Sequence, residues 1–265
     1  MHSLRTFTAL RAAAALTALA LAASTGAQAA DASASVQITG LSIVADSGVT
    51  LSWLPSSSFQ SLYAESREAG GLGGNDLQEP ASSAWATQAI QTSTGHASAS
   101  ASASASGLGG VLASASRALV NPLALPHSSA SWLQQSGEFS LSGAGHVSLV
   151  LDYSVSVSAP TSDGSDTWAY GALTVSFGNL FSGLSQTELV SVFSADPLFN
   201  NGSPSGRLTL SADFAGPAQT GYYDLRLNAG ASAVAAVPEP AHWALVLAGL
   251  ATLALRQRRR QRSGH

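Results

Sequence analysis

Cysteine is absent from this chain. Its absence excludes disulfides, thiolate metal sites and cysteine nucleophiles, so stability has to come from a packed core. Lysine is absent as well, and all 11 cations are arginine. An S-x-x-K nucleophile is therefore impossible. Neither an HExxH helix motif nor a G-x-S-x-G elbow occurs in the sequence, so neither a zincin site nor that serine-hydrolase signature is present.

Charge is scarce and unevenly placed. Seven arginines lie in the two tails: Arg5, Arg11, Arg256, Arg258, Arg259, Arg260 and Arg262. Between Asp31 and Arg226 four arginines (Arg67, Arg117, Arg207, Arg226) stand against fourteen acids, a net charge of −10. That balance excludes a basic nucleic-acid footprint and argues against binding to an anionic lipid surface. An acidic, lysine-free stretch rich in Ser, Ala and Gly suits a soluble extracellular protein that resists self-association.

What the chain does have is concentrated at its ends. Near the N-terminus Arg5 and Arg11 form a basic region, Ala12 to Ala23 is apolar, and Ala27-Gln28-Ala29 is a small-x-small cleavage site. These three parts in this order predict a secretory signal peptide over residues 1–29, read by the Sec translocon and a signal peptidase. At the other end Val237-Pro238-Glu239-Pro240 precedes an uncharged run from Ala241 to Leu255, followed by the arginine cluster. As a helix the run spans roughly 22 Å, short against about 30 Å of hydrocarbon. Arginine stems can snorkel to the head groups, and Trp243 suits the opposite interface. The cluster Arg256, Arg258, Arg259, Arg260 and Arg262 fixes the C-terminus in the cytoplasm and the rest of the chain outside. Pro238 and Pro240 cannot continue the helix backwards, so Glu239 is presented on a stiff, non-helical segment outside the bilayer.

A Val-Pro-Glu-Pro hinge, a short apolar helix and a terminal arginine cluster resemble a PEP-CTERM sorting signal. The resemblance covers residues 237–262, with the transmembrane helix at 241–255, and says nothing homologous about what lies upstream. It implies that Pro238, Glu239 and Pro240 are the recognition motif of an exosortase, a membrane protease-transpeptidase that removes the helix. It also implies transient anchoring in the inner membrane and a final place outside the cell, in species that commonly make exopolysaccharide.

The cargo, residues 30–228, reads as all-β: an antiparallel β-sandwich or jelly-roll-like domain, flanked by the N-terminal signal helix and the C-terminal transmembrane helix. Val147, Leu149, Leu151, Tyr153, Val155 and Val157 alternate with mostly hydroxyl residues, the pattern of a strand with one buried face. Three hairpins are expected from such runs and the turns between them. The first joins residues 36–44 to 49–53 and ends at Pro55, the second spans Val147 to Phe177, and the third joins 208–214 to 222–228. Ser185-Gln186-Thr187-Glu188 has capping-box spacing, which predicts a short helix ahead of Leu189 to Phe193. Residues 55–135 are weakly patterned. Phe59, Leu62 and Tyr63 fit one helical face, Gly70 to Asp76 is loop chemistry, and 97–106 is a strict Ala-Ser alternation, either a flat strand or a low-complexity segment. Residues 229–236 read as an Ala/Ser/Gly linker to the sorting tail.

Candidate chemistry in the cargo is sparse. His96, His127 and His146 are far apart in sequence. Serine is so abundant that no single one points to a triad, and the scattered acids do not suggest a glycosidase pair. Asp163 and Asp166, in Asp-Gly-Ser-Asp, could offer carboxylates to a hard cation, although an Asp-Gly turn accounts for them. Trp53, Trp85, Trp132 and Trp168 are the candidate sugar-stacking residues, Trp168 with Tyr170 beside it. The sequence leads one to expect a protein without catalytic residues, metal or cofactor. A carbohydrate-binding module or carbohydrate-active enzyme carried by the same tail is the alternative.

Overall fold

Apolar and hydroxyl residues alternate along most of the cargo, and successive side chains of a strand point to opposite faces. The computed structural model describes residues 31–68, 73–78, 87–104, 110–119, 126–159, 167–194, 203–234, 249–250 and 252–253. Twelve strands are described: β1 (Ala32–Ala45), β2 (Leu51–Arg67), β3 (Gly73–Gln78), β4 (Gln88–Ser93), β5 (Ala97–Ala103), β6 (Leu112–Ala118), β7 (His127–Leu141), β8 (Gly145–Ser158), β9 (Trp168–Asn179), β10 (Leu184–Phe193), β11 (Ser205–Phe214) and β12 (Thr220–Ala233). They form two six-stranded sheets, β11-β8-β1-β6-β5-β4 and β10-β9-β12-β7-β2-β3. The sheets pack face to face, with β6 over β7 and β12, β5 over β2 and β7, and β1 over β9 and β12. Every described strand pair is antiparallel.

The chain divides into two compact units, Ala29–Ala235 and the two terminal segments Met1–Gln28 and Ala236–His265. The sandwich is the first. Of the second, four residues are described, all helical, and Thr252 Oγ1 donates to the Gly249 carbonyl at 2.7 Å. Among the described residues no helix is long and apolar enough to cross a membrane. Of the run 241–255 only 249–250 and 252–253 are described, and residues 1–29, the expected signal peptide, lie outside the described residues.

The expected strands form, but none of the three expected hairpins does. β8 pairs with β1 and β11, whereas β9 pairs with β12 and β10 in the opposite sheet. β1 and β2, and likewise β11 and β12, are also divided between the sheets. The reason is physical: alternation fixes which face of a strand turns inward, and both sheets share one interior. A turn that arches from one sheet to the other satisfies the same pattern as a hairpin.

Five further expectations are corrected. Residues 184–193 are the edge strand β10, not a helix. There they supply the backbone partners of β9 along its free side, and Ser176 and Thr187 meet across the pair at 3.1 Å. Pro55 does not end β2. The pairing with β7 breaks register between Leu54 and Phe59 and then resumes, so the missing N–H of proline falls where the ladder is interrupted. Leu62 and Tyr63 consequently lie on opposite faces of β2 rather than on one helical face. Gly73–Gln78, overlapping the expected loop Gly70 to Asp76, is β3 paired with β2. The expected linker is strand as far as Ala233, where β12 remains paired with both neighbours over most of its length.

The Ala-Ser run is ordered over Ala97–Ala103, with its alanines buried and its serines turned outward. Its small side chains belong to a change in the interior along β7. Near Leu141 the core is aromatic, with Trp53, Phe177 and Phe214 around Phe139. Towards His127 it is alanine and serine. There hydroxyls of one sheet reach the other directly. Ser131 Oγ donates to the Ala115 carbonyl at 3.0 Å, Ser129 Oγ to Arg117 at 3.0 Å and Ser116 Oγ to Ala229 at 2.9 Å. Ser66 and Thr92 meet at 3.2 Å, and Gln60 Nε2 donates to Gln88 Oε1 at 3.0 Å. Only short side chains can bring two backbones within this reach. The seam holds buried polar groups that must stay paired, so Ser131→Ala is expected to cost about 1–3 kcal/mol, read as a lowered midpoint in urea.

Candidate functional site

At the serine-rich end of the sandwich three side chains converge from different elements. Glu68 follows directly on β2, His96 sits in the turn between β4 and β5, and His127 is the first residue of β7. The register of β2 on β7 places Arg67 opposite Ser128, which carries Glu68 alongside His127. The β4–β5 turn is tight. Thr94 N–H donates to the Ala97 carbonyl at 2.8 Å, and Ala97 N–H donates to Thr94 Oγ1 at 3.1 Å. His96 is thereby held at its tip, and its carbonyl accepts from Leu119 N–H at 2.7 Å. Gly95 beside it leaves room for the carboxylate: a Cβ there would come within 3.1 Å of Glu68 Oε1 and push it by a few tenths of an ångström.

One donor atom from each of the three side chains lies within 4.8 Å of the others. Glu68 Oε1 is 3.4 Å from His96 Nδ1. The imidazoles of His96 and His127 lie with centroids 4.7 Å apart and planes tilted by 32°. His127 is 2 % exposed, and neither of its ring nitrogens has a hydrogen-bond partner. Glu68 and His96 are half-buried at the rim. Burial pushes the His127 imidazole below its ordinary pKa, and the neighbouring His96 adds to this against the pull of Glu68. His127 is therefore neutral at neutral pH, with a free lone pair. Burial pushes the Glu68 carboxyl up, but His96, Thr94 and the Gly95 backbone together outweigh it and hold the group below the usual carboxylate range.

Two other surfaces carry chemistry. On the outer face of the second sheet Tyr63 and Trp132, paired across β2 and β7, stack with centroids 6.0 Å apart and planes at 20°. Beside them Asp224 accepts from Gln134 at 2.7 Å and from Arg226 at 2.8 Å. Further along this face Trp168, 36 % exposed, packs on Phe193, and Tyr170 packs on the same ring. On the first sheet a recess of about 250 Å³ is lined by Ser33, Ser35, Ser98, Ser100, Ser156, Gln91 and Arg117 among others. Each of the four cargo arginines faces a carboxylate: Arg67 with Glu65, Arg117 with Asp31, Arg207 with Asp152 and Arg226 with Asp224.

The sequence candidates are thus dispersed. Trp53 belongs to the aromatic core, edge-on to Phe139 and Tyr223, while Trp132, Trp168 and Tyr170 are on the outer face of the second sheet. His146 binds Asp213 through Nδ1 at 2.8 Å, and among the described residues no serine hydroxyl is hydrogen-bonded to its ring. Ala27, Ala29, Trp85, Asp163, Asp166, Pro238, Glu239, Pro240, Arg256, Arg258, Arg259, Arg260 and Arg262 lie outside the described residues. The cluster of Glu68, His96 and His127 was not foreseen. Its one trace in the sequence is that each member adjoins a strand boundary.

The fold defines the class of the cargo, an all-β chain of two antiparallel sheets. The chain matches no known protein-family model and no curated protein.

Proposed function

We propose that this is an exported, non-enzymatic protein of the cell surface or extracellular matrix, sorted and cut at its C-terminus by an exosortase. The observation that carries it is the tail, in which Pro238-Glu239-Pro240 stands directly before an uncharged run and five arginines. Support comes from the extent of the sandwich, whose unit runs from Ala29, at the expected signal cleavage site, to Ala235, just before Val237. The strand order, in which the chain repeatedly changes sheet, suits a jelly-roll-like module. Sec translocon and signal peptidase act first, the tail holds the chain in the inner membrane, and exosortase then frees the sandwich for the exopolysaccharide matrix.

Electrostatics narrows the matrix partner. The cargo is acidic, and its arginines are already paired. A polyanion would be repelled without a compensating cation, which leaves a neutral or cationic polysaccharide. A second reading, a carbohydrate-binding module, is favoured by the Tyr63–Trp132 stack beside the Asp224, Gln134 and Arg226 network, an apolar platform with polar groups at its side. Binding of a neutral glycan on an array that is lost in Trp132→Ala favours the second reading; binding that Trp132→Ala leaves unchanged counts against it.

The sorting proposal is tested by replacing Pro238 and Pro240 with alanine in the native host. The expected result is a membrane-held chain that keeps its tail, visible by mass spectrometry. Processing at the wild-type extent rules out a proline-dependent signal.

A further inference from the structure

We propose that Glu68, His96 and His127 form a binding site for one divalent transition-metal ion, of which zinc is the type. The donor set is two imidazoles and one carboxylate, which suits zinc and its neighbours and not calcium or magnesium, whose shells are built from oxygen. In a tetrahedral zinc shell with bonds of about 2.0–2.1 Å, ligand atoms lie about 3.3 Å apart. Glu68 Oε1 and His96 Nδ1 already stand at 3.4 Å. The three donors lie within 4.8 Å of one another, so closure needs shifts of about 1 Å, and the two half-buried members can supply them.

A purely structural reading of the cluster leaves His127 unexplained. The Glu68–His96 contact at 3.4 Å leaves His96 Nδ1 without a hydrogen bond and does not reach His127. His127 is buried, with both ring nitrogens lacking hydrogen-bond partners, and a polar group in that condition costs free energy unless something binds it. A cation bound to one ring nitrogen supplies a partner for that atom. Three protein ligands leave a fourth position for water or a further donor.

The placement also gives the ion something to do. His96 belongs to the β4–β5 turn of the first sheet, while Glu68 and His127 lie at the ends of β2 and β7 in the second. The ion therefore ties the sheets together at the end where the core is alanine and serine and apolar burial is smallest. A chain without cysteine has no disulfide to do this.

The test uses the full 265-residue chain in detergent, stripped with chelator and titrated calorimetrically with zinc sulfate alone. The expected result is one zinc per chain with a Kd below about 1 µM, and a rise in Tm on zinc addition. Loss of an outer-shell partner weakens metal affinity 10–100-fold, so His96→Asn and Glu68→Gln should each weaken it by about 100-fold or more and abolish the rise in Tm. Both residues are at the rim, so the variants keep the sandwich. His146→Asn should change nothing. No binding by the wild type, or unchanged binding in both His96→Asn and Glu68→Gln, overturns the proposal.

Discussion

Phe139→Ala is expected to destabilise the sandwich by about 3–5 kcal/mol. For a domain of this size that lowers Tm by about 6–20 °C. Phe139 is 0 % exposed on β7, between β2 and β12 of the second sheet. Its ring lies 5.7 Å from Trp53, 5.9 Å from Phe177 and 6.0 Å from Phe214. Removing it takes away the transfer free energy of the largest inward-facing apolar group on the strand and leaves a cavity. The surrounding rings are held by three other strands and cannot collapse into it. Trp132 lies on the same strand but faces outward, so Trp132→Ala should cost much less. Thermal melts of the two variants give the comparison, and equal losses would mean that the inward face of β7 has been assigned wrongly.

The second large effect is expected from adding a single methyl. Gly221 faces Phe139 across the β12–β7 ladder. A Cβ at Gly221 would lie 2.3 Å and 2.5 Å from two atoms of the Phe139 ring and 2.8 Å from the Phe214 ring. No real contact is that short, so Gly221→Ala must displace rings already fixed by their neighbours. The expected cost is about 1–3 kcal/mol. The two sites are in contact, so their effects should not add. In the double variant Gly221→Ala/Phe139→Ala the methyl enters space the ring has vacated, and the loss should fall below the sum of the single losses. A strictly additive double variant in urea titrations would mean that glycine is not there to make room for the ring.

These two residues show which parts of the structure were legible in the sequence. Period-two alternation announced that β8, β11 and β12 are strands and which side of each is buried, because that information is local. Strand partners were not legible. Leu151 is opposite Leu41 and Leu208, not opposite any residue of β9, and nothing in the run from Ala159 to Thr167 distinguishes an arch from a hairpin. The capping-box spacing at Ser185 and Glu188 was a true local signal overridden by the need to pair the open side of β9. The Ala-Ser run was legible only as two alternatives. What decides between them is the pairing of Ala97–Ala103 with β4 on one side and β6 on the other, which the run itself does not announce.

The Glu68, His96 and His127 cluster was hidden for the same reason. Sequence motifs for metal sites depend on ligands a few residues apart on one element. Here the ligands come from the end of β2, a turn between β4 and β5 and the start of β7, and only the packing of the two sheets brings them together. Wide spacing of histidines in a β-sandwich therefore says little about their separation in space. The proposed sorting tail is the opposite case: its hinge, apolar run and arginine cluster would act in chain order, so the sequence alone carries that proposal.

The most direct measurement is the intact mass of the protein recovered from its native host, which reads both ends at once. A secreted or surface-bound chain that starts near Ala30 and lacks the apolar run 241–255 and the arginine cluster is the expected product. A cytoplasmic chain with both termini intact would contradict export and processing together.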